Sequence, residues 1–132
     1  MADAHIPLID FAYRDDQAIL FARTRGELHP SSIVPMVKRM TEEGVRHNCR
    51  LFVLDHRAAK IRHLDFPEIL KALPSERNLA LPRGARLAIV LPSLVAQVKA
   101  VFETFFKSSG RDVRLFEDEP EAVSWLLGPD IP

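Results

Sequence analysis

The chain has 132 residues, a length that suits one domain burying about two-thirds of its unfolded surface. Eighteen basic residues balance eighteen acidic ones, so no net field favours DNA, RNA or an anionic membrane as an obligatory partner. The lone cysteine excludes an intrachain disulfide and a cysteine-pair zinc site. Neither a signal peptide nor a membrane-spanning apolar run is present, so a cytoplasmic protein is expected.

The first third predicts a β-hairpin followed by a helix. Residues 8–13 and 18–23 have the pattern of two short strands joined by a polar turn. Ser31 and Ser32 are predicted to cap the helix, in which apolar residues recur at helical spacing as far as Gly44.

The middle of the chain predicts a buried strand, a basic loop and a second helix. Residues 50–55 are a continuous apolar run that ends in a polar residue, which is typical of a central strand buried on both faces. Residues 55–63 are predicted to form the loop. Asp65 is the expected N-cap of the helix, with Pro67 in its first turn, and the helix should end near Pro74.

The last third repeats the alternation of strand and helix. Residues 85–91 predict a second buried strand, Ser93 is placed to cap the longest helix, and residues 112–116 predict the last strand. Asp118 is the expected cap of a final helix. The residues of that helix predicted to lie on the sheet are Ala122, Trp125 and Leu126.

Together these elements give the order ββαβαβαβα, an α/β fold in a single domain over residues 1–132. Strands that alternate with helices predict a mostly parallel sheet, and the opening hairpin supplies an antiparallel edge at the N-terminus.

Three segments, residues 50–55, 86–90 and 113–126, resemble the STAS-like family of small bacterial proteins. This family is often described as SpoIIAA-like and is related in fold to Sec14-type lipid-binding domains. The most specific match is the last, in which a strand ends in Phe116-x-Asp118 and is followed by Ala122 and Trp125. The resemblance implies the scaffold and the binding of an apolar ligand or a protein partner.

In the anti-anti-sigma members of that family, a regulatory serine follows an aspartate at the start of the helix after the buried strand. Here the corresponding positions are Leu64, Asp65, Phe66 and Pro67, with no serine or threonine. The resemblance therefore does not extend to the phosphorylation switch.

A basic candidate site follows the predicted central strand. It comprises Arg57, Lys60, Arg62 and His63, with the helix capped by Asp65 beside it. Because ligands of open α/β sheets bind outside the carboxyl ends of the strands, an anionic ligand could dock there. The alternative is a solvated surface loop.

An apolar candidate surface involves Phe66 on one predicted helix and Phe102, Phe105 and Phe106 on the longest one. The stripe on the longest helix spans a wider arc than one sheet contact requires. The surplus could receive an apolar ligand, a second helix or a twin subunit, whereas the alternative is an ordinary core.

No catalytic or metal-binding signature emerges. His56, His63 and Asp65, with Asp55 nearby, lack the spacing of a metal site. His47 and Cys49 have no orienting acid, so Cys49 is expected to be a small buried or half-buried residue. The acidic residues 117–121 suit the start of a helix. We therefore expect no catalytic residue, metal or cofactor.

The leading hypothesis is a non-enzymatic STAS-like regulatory or binding module. It would bind an apolar or amphipathic small molecule, with an acyl chain on the phenylalanines and an anionic head on the basic loop, or else a protein partner. The second hypothesis is a homodimeric interaction module that pairs through Phe105 and Phe106 without a small ligand. An unrecognised enzyme is the third.

Overall fold

A six-stranded sheet forms the centre of the structure, which is a computed structural model. It describes residues 8–29, 32–61, 81–82, 84–92, 99–100, 102–104 and 112–128. The strands are β1 (Leu8–Arg14), β2 (Ile19–Leu28), β3 (Leu51–Asp55), β4 (Ala59–Ile61), β5 (Arg86–Val90) and β6 (Asp112–Phe116). The helices are α1 (Ile33–Arg46) and α2 (Glu119–Leu127), and residues 99–100 and 102–104 are also helical. No helix in these ranges is both long and apolar enough to cross a membrane.

The strand order is β1-β2-β3-β5-β6, and β4 pairs with β2. β1 and β2 are antiparallel, whereas every other pairing in the sheet is parallel. The predicted mostly parallel sheet with an antiparallel N-terminal hairpin at its edge is confirmed. β2 is longer than the predicted strand over residues 18–23, since it continues to Leu28.

The prediction of a loop over residues 55–63 is wrong for residues 59–61, which form β4. The cause is the length of β2, whose first five residues pair with β3 while Gly26 to Leu28 extend beyond it. The backbone N–H and C=O groups of these three β2 residues are left unpaired by β3, and residues 59–61 pair with this segment as β4. Between β3 and β4, the three residues 56–58 lie opposite only two residues of β2. The pairing with β2 is therefore interrupted at this point.

Among the described residues, α1 and α2 pack on opposite faces of the sheet. On what we call the α1 face, Met36, Val37 and Met40 of α1 pack on alternate residues of β2, β3, β5 and β6. On the opposite face, which we call the α2 face, Ala122 and Leu126 of α2 pack on the strand residues that alternate with those of the α1 face. β3 carries buried residues on both faces, which confirms the predicted central strand.

The start and end of α1 differ from the prediction. Ser32 precedes the helix, but its side chain makes no capping bond; its hydroxyl accepts a hydrogen bond from the backbone N–H of His29 at 3.2 Å. The helix runs past the predicted end at Gly44 as far as Arg46, because Gly44 is buried inside it rather than placed at a cap. The left-handed residue after the helix is Asn48, with φ of 51°.

α2 begins and packs as predicted. The Asp118 carboxylate accepts a hydrogen bond from the backbone N–H of Glu121 at 2.8 Å, which is the expected N-cap. Ala122 and Leu126 are buried, and Trp125 is half-buried with its ring 5.8 Å from that of Phe116. The predicted helix from Asp65 to Pro74 and the predicted cap at Ser93 lie outside the described residues.

Candidate functional site

Four charged side chains meet on the α2 face at the carboxyl end of β3, beside the middle of β2, and we call them the ion cluster. Arg23 is the last β2 residue paired with β3, and Asp55 is its register partner at the end of β3. Arg57 lies in the break before β4, and Glu119 is the first residue of α2. The cluster therefore occupies the edge of the sheet where ligands of α/β folds bind.

Asp55 and Arg57 form a fork-to-fork pair. Nε of Arg57 donates to Oδ1 of Asp55 at 3.0 Å, and Nη2 donates to Oδ2 at 2.8 Å. The backbone N–H of Arg57 also donates to Oδ1, at 3.0 Å. The Asp55 side chain is 6% exposed, whereas that of Arg57 is 42% exposed. A buried carboxylate thus fixes the orientation of a half-exposed guanidinium.

Arg23 connects the same carboxylate to helix α2. Its Nη2 donates to Oε1 of Glu119 at 2.7 Å, and its Nε lies 3.7 Å from Oδ2 of Asp55. Glu119 also lies 3.9 Å from Nη2 of Arg57. The Arg23 side chain is 42% exposed, like that of Arg57, and its guanidinium lies over the ring of Phe21. One network therefore joins β2, β3 and the start of α2.

The pairing of Asp55 with Arg57 favours the charged form of both side chains. Burial alone would raise the pKa of Asp55, but the hydrogen bonds and charge of Arg57, with the charge of Arg23, lower it below its usual value. The hydrogen bond to Asp55 in turn raises the pKa of Arg57, although partial burial opposes it. Each partner stabilises the charged form of the other.

A buried neutral pair lies directly behind Arg57. The hydroxyl of Thr24 donates to the carbonyl of Asp55 at 3.2 Å and lies 2.8 Å from Nδ1 of His56. Since that hydroxyl has one proton to donate, Nδ1 of His56 is the donor to Thr24. Burial lowers the pKa of His56 to about 4 against the opposing charge of Asp55. His56 is therefore a neutral packing residue that shapes the break holding Arg57.

The structure separates two of the predicted site residues. Arg57 lies in the ion cluster on the α2 face, and Lys60 is an exposed residue of β4. Phe102 is half-buried and packs on the core of the α1 face. The sheet thus lies between Arg57 and Phe102, and they do not share a cleft. The remaining predicted site residues, outside the described ranges, are Arg62, His63, Phe66, Phe105 and Phe106.

Arg23, Asp55 and Glu119 are the three members of the cluster that the sequence does not assign to a candidate site. The sequence places Arg23 in a hairpin strand and Asp55 at the polar end of a buried strand, and it explains Glu119 by its position at the start of a helix. The available signal was topological, because parallel strands place their carboxyl ends and the following helix starts at one edge. Arg86, by contrast, pairs with Asp112 at the opposite end of the sheet.

The thiol of Cys49 is accounted for by packing. Cys49 is buried, as predicted, with its Sγ 3.0 Å from the carbonyl of Leu51, and burial raises the pKa of its thiol. Within the described part of the chain, no group of three or more histidine, cysteine, aspartate or glutamate residues is arranged to hold a metal ion.

The chemistry available to the ion cluster is binding. Nη1 of Arg23 and Nη1 of Arg57 have no acceptor among the described residues, and both arginines are half-exposed. Arginine stays cationic at any physiological pH, Asp55 is held as the anion, and His56 is neutral. Arg57 and Asp55 thus offer a fixed donor and a fixed acceptor.

Three solved structures share this fold over nearly the whole chain. An anti-sigma factor antagonist from Mycobacterium paratuberculosis has a TM-score of 0.52 at 9% identity, covering 96% of this chain and 98% of that one. The anti-sigma factor antagonist SpoIIAA in its unphosphorylated form has a TM-score of 0.51 at 12% identity, covering 92% and 100%.

The third is an uncharacterised protein of the DUF3478 family from Shewanella loihica, with a SpoIIAA-like fold, a TM-score of 0.50 and 18% identity over 96% of this chain and 98% of that one. No family model and no curated protein matches the sequence. The comparisons therefore confirm the SpoIIAA-like fold that the resemblance implied, and identities this low extend to the fold alone.

Proposed function

We propose that the chain is a non-enzymatic regulatory or binding module that recognises a protein partner through the ion cluster. The observation that carries the proposal is the pair of half-exposed arginines, of which Arg57 is held by the buried carboxylate of Asp55 and Arg23 by Glu119. A cytoplasmic location, which the sequence predicts, is part of the proposal.

The fixed arginines are suited to recognition because their orientation is set before a partner arrives. A free arginine side chain loses rotamer freedom on binding, whereas the Arg57 side chain is already held by two hydrogen bonds to Asp55. The Nη1 groups of Arg57 and Arg23 remain to donate to acceptors of the partner. Carboxylates and backbone carbonyls of a protein are acceptors of this kind.

The charge pattern favours a protein over a small anion. The positive charges of Arg23 and Arg57 are balanced by Asp55 and Glu119, and the charge of Asp118 also acts on Arg57. A small anion would meet these carboxylates as well as the arginines. A protein surface can present both signs in a complementary arrangement. Two of the solved structures that share the fold are named as antagonists of an anti-sigma factor, which is itself a protein.

Two other hypotheses from the sequence receive less support. An amphipathic ligand with its head on Arg57 and its chain on Phe102 would have to cross the sheet, because these residues contact opposite faces. A dimer through Phe105 and Phe106 stays a prediction, since both lie outside the described residues. The proposal of a non-enzymatic module is supported by the pairing of Asp55 with Arg57, which favours the charged form of both.

The experiment immobilises the full chain, captures proteins from a lysate of cells that encode it, and quantifies each captured protein by mass spectrometry. The variants are Arg23→Ala and Arg57→Ala, with Arg46→Ala as the matched control. The Arg46 side chain is 79% exposed at the end of α1, away from the ion cluster. Removing a charged hydrogen-bonding group from an interface costs about 1.5–3 kcal/mol, so capture should fall about ten- to hundredfold for the cluster variants alone.

Circular dichroism spectra and thermal unfolding would show that the variants are folded before capture is compared. A protein that is captured equally by the unchanged chain and by all three variants would contradict the proposal. So would a captured small molecule whose binding survives both cluster substitutions.

A further inference from the structure

The outer edge of β1 is the unpaired edge of the described sheet on its antiparallel side. β1 is the first strand in the order, and its seven residues pair only with β2. Leu8, at the start of this strand, is 62% exposed and is one of three large apolar side chains exposed in the described residues. A long strand edge of this kind is a template for pairing with another strand.

The side chains of β1 are arranged symmetrically about Ala12. Asp10 and Arg14 lie two residues to either side of it on the exposed α2 face. Phe11 and Tyr13 flank it on the other face, where they pack on the core of the α1 face. A second copy of this strand can be placed antiparallel to the first, with the two Ala12 residues opposite each other. Each charged residue then faces a residue of opposite charge, and each aromatic residue faces another aromatic residue.

We propose that β1 pairs antiparallel with β1 of a second copy of this chain, about a two-fold axis at Ala12. In this register Asp10 faces Arg14 of the second copy, and Phe11 faces Tyr13 of the second copy. Both relationships occur twice because the interface is isologous. The sheets of the two copies then become one continuous sheet.

The surroundings of the two charges are compatible with this pairing. Arg14 lies over the ring of Phe21 at 4.5 Å and forms no ion pair with any residue in the described ranges. Asp10 contacts Arg25 at 2.9 Å, and it is opposite Arg23 in the hairpin register. Arg25 contacts both carboxylate oxygens of Asp10, since its Nη2 also donates to Oδ1 at 3.3 Å. Each carboxylate oxygen can accept more than one hydrogen bond, and the Asp10 side chain is 63% exposed, so it can also accept from Arg14 of the second copy.

The expected association is weak. Five residues from each strand, Asp10 to Arg14, pair in this register, and an interface built on one strand edge falls in the small class that buries less than about 1,200 Å². Dimerisation should therefore be visible only at high protein concentration. This interface is separate from the partner surface at the ion cluster, so either proposal can fail without the other.

The first test is sedimentation equilibrium of the full chain from about 10 µM to about 1 mM, the range in which weak interfaces associate. Asp10→Arg places like charges opposite each other twice and should weaken the dimer about tenfold or more, as should Arg14→Asp. The double variant D10R/R14D restores opposite charges and should recover the dimer. The pair between Asp10 and Arg25 is not restored in it, so recovery reports pairing between copies.

The second test fixes the register. Ala12→Cys in a Cys49→Ala background places two thiols directly opposite each other across the axis, where a disulfide can form under mild oxidation. Ala100→Cys, at another exposed alanine, is the matched control. Rapid disulfide dimerisation of the A12C chain alone is expected. A chain that stays monomeric at every concentration, a dimer insensitive to D10R, or equal cross-linking of A12C and A100C would each overturn the proposal.

Discussion

Arg23 and Glu119 are 96 residues apart in the sequence, yet Nη2 of the arginine donates to Oε1 of the glutamate at 2.7 Å. This contact ties the start of α2 to the middle of β2. Because Arg23 is also within 3.7 Å of Asp55, the helix, two strands and Arg57 form one charged unit. The candidate binding surface is therefore held by the fold and not by a single loop.

The Asp55 carboxylate should matter more to stability than that of Glu119. Asp55 is 6% exposed and accepts three hydrogen bonds from Arg57, whereas Glu119 is 20% exposed. Allowing for the exposure of the arginines, we expect Asp55→Asn to lower the free energy of unfolding by about 1–3 kcal/mol and Glu119→Gln by about 0.5–1 kcal/mol. Urea denaturation measures both, and a larger loss for E119Q would contradict the assignment of Asp55 as the centre of the cluster.

The hydroxyl of Thr24 should be required for the break between β3 and β4. Thr24→Val keeps the shape of the side chain but leaves Nδ1 of buried His56 without its acceptor. An unsatisfied buried donor costs about 1–3 kcal/mol, which should appear as a lower free energy of unfolding in urea. Thr24→Ser retains the hydroxyl and should lose less than half as much. Equal losses for T24V and T24S would show that the methyl group, and not the hydrogen bond, is important.

The free energy of unfolding should decrease as the pH is lowered, because His56 titrates at a lower pH in the folded protein than in the unfolded chain. The pKa of His56 is about 4 in the folded protein against an ordinary value of 6.5, so below pH 6.5 the unfolded chain binds a proton that the folded chain does not. The contribution of neutral His56 to the free energy of unfolding is fully present above pH 6.5. It decreases as the pH is lowered to 4, by roughly 3 kcal/mol in total. Unfolding measured across this range should be less pH-dependent for His56→Asn than for the unchanged chain. Identical pH dependence of the two would refute this role.

Gly44 should be required by the packing of Phe52. A Cβ at Gly44 would lie 2.5 Å from Cε1 and 2.6 Å from Cζ of the Phe52 ring, which is fully buried. Alanine in a helix is otherwise favoured over glycine by about 1 kcal/mol, but overpacking costs about 1–3 kcal/mol, so Gly44→Ala should destabilise the protein. Phe52→Leu in the same chain should recover part of the loss. A stabilised G44A variant, measured by thermal unfolding, would contradict this packing.

The parts of the fold that the sequence predicted depend on local signals. The continuous apolar run of β3 and the cap at Asp118 with the following proline are contained in a few neighbouring residues, and both are confirmed. The serine at the start of α1 had the same local signal, but the chain before it folds back so that the hydroxyl of Ser32 binds the N–H of His29.

The features that the sequence did not predict depend on distant parts of the chain. β4 forms because β2 extends beyond β3, which cannot be inferred from residues 59–61 themselves. The ion cluster requires the order of the strands, since Arg23, Asp55 and Glu119 come from three separate elements. A sequence pattern reports the neighbours of a residue along the chain, whereas these contacts are set by topology.

Site-specific photo-cross-linking tests the proposed partner surface most directly. A benzoylphenylalanine would replace Glu117, an exposed residue beside the cap of α2 at the ion cluster, or Val45, which is 68% exposed at the end of α1. Illumination in cells that encode the chain should join a partner protein to the chain labelled at position 117 and not to the chain labelled at position 45. Cross-links from position 45 alone, or from neither position, would contradict a partner surface at the ion cluster.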